Sequence, residues 1–145
     1  GTCWWRWAGW RNLNSLVNKD LNALIVRAGL VLFPTEPPIQ LVVEGTANWD
    51  HASKMSVHVT GWANTPGLNR RVEMFDWDAN AYVNVSDVPS GTTTNSVDVP
   101  LTNPDRFIQP GTRLVRAKVS AYRTGLTLLW PFSYLVDQCN WTINP

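Results

Sequence analysis

Pro34, Pro37, Pro38, Pro66, Pro89, Pro100, Pro104, Pro110 and Pro131 interrupt this chain at short intervals, and glycines stand beside several of them. A proline inside a helix costs about 3 kcal/mol, because it removes a hydrogen bond and clashes with the preceding turn. No uninterrupted helical period survives that spacing. Between the breaks the residues alternate instead. In Lys54 to Trp62, Met55, Val57 and Val59 share one face, while Lys54, Ser56, His58 and Thr60 share the other. Leu114 to Tyr122 repeats the pattern, with Val115, Ala117, Val119 and Ala121 inward and Arg116, Lys118 and Ser120 on a wet face. Period-two alternation marks half-buried strands.

Residues 23–27, 39–45, 70–75, 81–86, 96–101 and 133–143 read as further strands. About eight strands at regular spacing predict an all-β fold, an antiparallel β-sandwich of jelly-roll type with Greek-key connections. Asn12 to Asp20 is rich in polar breakers and reads as a loop. A chain of 145 residues with 44% hydrophobic content builds one core. A single domain over 1–145 is expected, with a Trp-rich strand or loop at 1–21 and the sandwich body at 22–145.

The charge balance narrows the partners. The formal net charge is +1 and the basic residues are dispersed, which argues against nucleic acid. The longest apolar runs, Leu24 to Val26, Leu30 to Phe33 and Leu126 to Phe132, fall short of the ~20 residues of a membrane helix, so no membrane insertion is expected. No basic and apolar leader opens the sequence, and the expectation is a secreted or cell-surface protein whose leader, if any, has been removed.

Nine tryptophans are more than one small domain can hide, so some are expected to face a partner. Four crowd the opening run as Trp4, Trp5, Trp7 and Trp10, with Arg6 and Arg11 interleaved. Adjacent Trp4 and Trp5 would face opposite sides of an extended strand, leaving an edge that invites pairing with another chain. The arginines could stack on indoles there. Self-association or contact with another extracellular protein through these six residues is the main expectation. The alternative is carbohydrate binding by Trp49, Trp62 and Trp77 on one rim of the sandwich, with Asp50, Asp76 and Asn80 as hydroxyl partners. Trp130 and Trp141 sit among Leu128, Leu129, Phe132, Leu135 and Ile143 and read as core.

Catalytic signals are sparse. The two histidines, His51 and His58, are seven residues apart and read as surface imidazoles. No nucleophile elbow, zinc helix motif, P-loop or dinucleotide fingerprint occurs. Glu73 and Asp76 could be imagined as paired acids of a glycoside-active enzyme, the third reading. The run Asp76-Trp77-Asp78-Ala79-Asn80 fits a hairpin turn better, since Asp and Asn bond their own backbone. Asp76, Asp78, Asn80 and Asp87 also have calcium-loop spacing, but Ala81 occupies the sharp-turn position that needs glycine. No cofactor is expected. Cys3 and Cys139 stand near opposite ends; a disulfide between them is expected over two unrelated buried thiols, and its loop closure would contribute roughly 4 to 5 kcal/mol. Asn84-Val85-Ser86 and Asn140-Trp141-Thr142 fit the glycosylation acceptor pattern, which matters only where that machinery exists.

The segments Asn64-Thr65-Pro66-Gly67-Leu68, Glu73-Met74-Phe75-Asp76-Trp77, Pro104-Asp105-Arg106-Phe107-Ile108 and Leu114-Val115-Arg116-Ala117-Lys118-Val119 carry a resemblance. Over about residues 22 to 143 the chain resembles a β-sandwich module of secreted bacterial surface proteins of the planctomycete type. In that module an aromatic-Asn-Trp hairpin precedes a polar turn, and a Pro-x-Arg-aromatic stretch precedes a strand of alternating Arg and Val. Asp76 stands here in place of the more usual Asn, and the Trp-rich opening is not part of the pattern. The resemblance implies a non-catalytic extracellular building block, with no catalytic residues to carry over.

Overall fold

The computed structural model describes residues 2–5, 24–27, 37, 39–123 and 132–145, and for 2–5 and 24–27 it describes the backbone alone. Nine strands run through them: β1 (Thr2–Trp5), β2 (Leu24–Arg27), β3 (Ile39–Thr46), β4 (Lys54–Ala63), β5 (Leu68–Asp76), β6 (Ala81–Ser90), β7 (Asn95–Leu101), β8 (Leu114–Arg123) and β9 (Ser133–Asn144). They form two antiparallel sheets, one in the order β1-β3-β8-β5-β6 and the other β2-β9-β4-β7. The fold is the jelly-roll β-sandwich that the alternation predicts.

The core lies between the sheets because the inward residue of each pair is apolar. Ile39, Leu41 and Val43 of β3, Val72 and Met74 of β5, and Val115, Ala117 and Val119 of β8 are buried on one side. Met55, Val57 and Val59 of β4 and Tyr134 and Val136 of β9 meet them from the other. Trp141 packs against this core, as expected. Its ring leaves no room for a side chain at Gly45 on the facing sheet: a Cβ there would lie 2.7 Å from an indole carbon. Arg70 also points inward and is 2% exposed. Its guanidinium donates to Asn95 Oδ1 at 2.7 Å and to the Tyr134 hydroxyl at 3.1 Å, which meets part of the hydrogen-bonding demand of a buried cation.

The punctuation falls where the sheets permit it. Pro89 and Pro100 lie within β6 and β7, and each of those strands ends its sheet, where a missing backbone donor costs no ladder bond. The Pro104–Phe107 stretch forms a single 3-10 turn that buries Phe107 beneath one end of the sandwich. Bulges at Thr60/Gly61 and Val72/Glu73 shift the register of β4 against β9 and of β5 against β6.

No disulfide is found among the described residues. Cys139 is buried on β9 in register with Val59, and Cys3 lies on β1 in register with Val43 of the other sheet. No helix among the described residues is long and apolar enough to cross a membrane.

Candidate functional site

The outward residues of the five-stranded sheet build its most elaborate surface. On β5 these are Asn69, Arg71, Glu73 and Phe75, alternating with buried Leu68, Arg70, Val72 and Met74. Register sets Glu73 against Lys118 and Arg71 against Ser120 on β8, and Phe75 against Tyr82 on β6. Glu44 of β3 lies across from Arg116. Four neighbouring strands therefore pool their polar sides into one face.

At one end of this face stand three aromatic rings. Phe75 meets Trp77 edge-on, with centroids 4.7 Å apart, and meets Tyr82 edge-on at 5.1 Å. The Arg116 guanidinium lies 5.1 Å from the Phe75 centroid and 5.2 Å from that of Trp77, while the Lys118 ammonium lies 4.1 Å over the Tyr82 ring. Cation–π contact and edge-on packing together fix the rings in place. Burial raises the Tyr82 phenol above its ordinary pKa against the opposing pull of Arg116, so it stays a neutral hydroxyl. The Trp77 indole N–H is buried without an acceptor.

Ion pairs continue the surface. Arg116 binds Glu44, and Lys118 lies 3.0 Å from Glu73. Arg71 Nε donates to Asp87 at 3.0 Å, and the Tyr122 hydroxyl donates to the same carboxylate at 2.6 Å. Burial acts to raise the Asp87 pKa, but the hydrogen bonds from Tyr122, Arg71 and Asn69 outweigh it and hold the carboxyl below its usual range. The face expected to be wet on β8 is thus half covered: Lys118 and Arg116 lie against neighbours, and Ser120 is fully buried with its hydroxyl unpartnered.

The residues singled out from sequence are distributed differently. Trp49 is exposed in the loop before β4, whereas Trp62 lies near the far end of that strand, eight residues or about 27 Å of extended chain beyond Lys54. Trp62 is in register with Leu135 on the four-stranded sheet. Trp49, Trp62 and Trp77 therefore share no rim, because a ten-residue strand separates two of them. Asp50 approaches Arg113 at 4.0 Å, and Asn80 takes a positive φ of 52° in the β5–β6 turn. Trp77 alone of the three belongs to the aromatic end described above.

Asp76 serves the turn. One carboxylate oxygen accepts from the backbone N–H groups of Asp78 and Ala79, both at 2.9 Å, and the other from Arg106 at 3.3 Å. Asp87 lies on β6, seven residues and about 23 Å of extended chain beyond Asn80. The calcium spacing of Asp76, Asp78, Asn80 and Asp87 is therefore opened out by the strand, and no cluster of three or more metal-ligating side chains occurs among the described residues. Glu73 and Asp76 are three apart on β5, one outward and one inward, so they flank no common bond. His51 is exposed beside Asp105 at 3.4 Å, and His58 lies 3.1 Å from the Thr60 hydroxyl.

Of the N-terminal set, Trp4 and Trp5 lie on β1 in register with Val42 and Leu41. Arg6, Trp7, Trp10 and Arg11, like Trp130 in the later segment, lie outside the described residues. Phe75, Tyr82, Glu44, Arg71 and Tyr122 were not singled out as site residues from the sequence. One signal was available: Phe75 falls in phase with Asn69, Arg71 and Glu73, not with the core residues of its strand.

No protein-family model matches this chain, and no curated protein is similar to it in sequence. Solved structures share the fold. A protein described under "CBM4 structure and function" superposes with a TM-score of 0.53 at 13% identity, covering 88% of each chain. A "Family 16 Carbohydrate Binding Module-2" covers 83% of this chain and 75% of its own, with a TM-score of 0.48 and 12% identity. The enzymatically active domain of bacteriophage CBA120 tailspike protein 4 matches over 84% of this chain but 18% of its own, with a TM-score of 0.38 and 9% identity. The first likeness shows a shared β-sandwich fold.

Proposed function

We propose that this protein is a non-catalytic carbohydrate-binding module, and that it holds its ligand on the outward face of the five-stranded sheet. The observation that carries the reading is the fixed aromatic end made by Phe75, Trp77 and Tyr82, set beside polar groups already oriented by cross-strand pairing. Rigid aromatics beside a few positioned polar groups are what sugar recognition requires. The shared fold with a carbohydrate-binding module supports it. Secretion, and kinship with the surface modules of planctomycete type, belong to the same proposal and rest on the motifs at Phe75-Asp76-Trp77 and Arg106-Phe107-Ile108.

Affinity electrophoresis through gels containing soluble polysaccharides tests it. Wild type should be retarded, and Tyr82→Ala and Trp77→Ala should lose most of that retardation. Trp62→Ala, which lies on the other sheet, should keep it. Loss with Trp62→Ala alone would move the site to the other sheet. A second reading, assembly through the N-terminal edge around Trp4 and Trp5, rests on β1 ending the strand order of its sheet. Light scattering across a hundredfold dilution decides it, since a strict monomer removes that reading.

A further inference from the structure

The charges on the proposed binding face are arranged in matched pairs. Glu44 with Arg116 spans β3 and β8, Glu73 with Lys118 spans β5 and β8, and Asp87 with Arg71 spans β5 and β6. Each pair is partly shielded: the Lys118 and Glu73 side chains are 19% and 15% exposed. Tyr122 adds a hydroxyl donor to Asp87. All three cations are engaged a second time: Lys118 over the ring of Tyr82, Arg116 over those of Phe75 and Trp77, and Arg71 over that of Tyr122. Among the described residues of the face, no cation stands without a carboxylate beside it.

We infer that this face selects an uncharged polysaccharide and discriminates against uronic-acid and sulfated glycans; the inference rests on the carbohydrate-binding reading above. An anionic glycan needs an available cation, and each one here is already neutralised and partly desolvated. To bind, the polyanion would have to displace a carboxylate whose own geometry is in place, or lie close to three carboxylates at once. Both raise the cost of the wrong ligand, which is how charge arrangement yields specificity. A neutral chain meets instead the rings, the Glu73 carboxylate, and the Asn69 and Asn84 amides on the outward side. The face runs the length of β5, nine residues or about 30 Å, which suits an extended polymer rather than a single terminal sugar.

The test compares wild-type retention on neutral polymers (xylan, mixed-linkage glucan, galactomannan) with retention on polygalacturonate, alginate and chondroitin sulfate, from about 20 mM to about 500 mM salt. Binding to a neutral polymer that does not vary with salt, without binding to the anionic set, is the expected result. Salt-sensitive binding to an anionic polymer overturns the inference while leaving carbohydrate binding intact. Retention on none of the six overturns the reading beneath both. Glu73→Gln supplies the second arm. Exposing Lys118 should raise affinity for polygalacturonate by about tenfold or more at low salt and lose that gain at high salt. Circular dichroism confirms that the variant is folded, and a folded Glu73→Gln without the gain overturns charge pairing as the discriminator.

Discussion

Replacing Asp76 separates a structural carboxylate from a ligand-binding one. In Asp76→Ala the turn loses the acceptor for two backbone N–H groups, and Arg106 loses its partner. The turn residues Asp78 and Ala79 are exposed, so water replaces part of what is lost and each hydrogen bond is worth about 1 kcal/mol. The pair with Arg106, whose side chain is 30% exposed, adds about 0 to 1 kcal/mol. The expected loss is roughly 2 to 3 kcal/mol, or about 4 to 12 °C in Tm for a chain of this size. Asp76→Asn keeps the amide oxygen for the turn and gives up only the ion pair, so its loss should stay near about 1 kcal/mol or below. Urea unfolding followed by tryptophan fluorescence measures both. The reasoning fails if the asparagine variant is as unstable as the alanine variant, or if alanine costs under about 0.5 kcal/mol.

Three further outcomes are expected. Gly61→Ala should cost about 3 kcal/mol, because a Cβ there meets the Leu135 carbonyl oxygen and lies 2.8 Å from the Tyr134 hydroxyl; urea midpoints check it. Ser120→Ala should be neutral within about 0.5 kcal/mol or stabilising, since it removes a buried hydroxyl that bonds nothing, and thermal unfolding decides between that and a hidden partner. The folded-state pKa of Asp87 lies below its unfolded value of 3.8, so its contribution is full above that pH and is lost as pH falls through the lower, folded value. The stability gap between wild type and Asp87→Asn should therefore shrink on going from about pH 6 to about pH 2.5, and a gap independent of pH would contradict this.

The strands were legible because alternation is local. Lys54 to Trp62 and Leu114 to Tyr122 announce their inward faces without any knowledge of their neighbours, and both became strands of nearly the expected length. The proposed binding face was not legible, because it exists only once β8 lies between β3 and β5. Nothing in the sequence says that Glu44 will meet Arg116 across 72 positions, or that Lys118 will lie over Tyr82. Trp49, Trp62 and Trp77 share a residue type and a turn-adjacent context, and those cues carry no information about which end of a sandwich each occupies. Ser120 shows the same limit from the other side: it was read as lying on a wet face, and it is fully buried.

Pro89 and Pro100 divide the borders of the two sheets into unlike kinds. The borders at β6 and β7 each carry a residue that cannot donate to an incoming strand, while the described β1 and β2 carry none. A strand added at either of those borders would find one backbone donor missing, so the same prolines that shape the fold discourage sheet growth there.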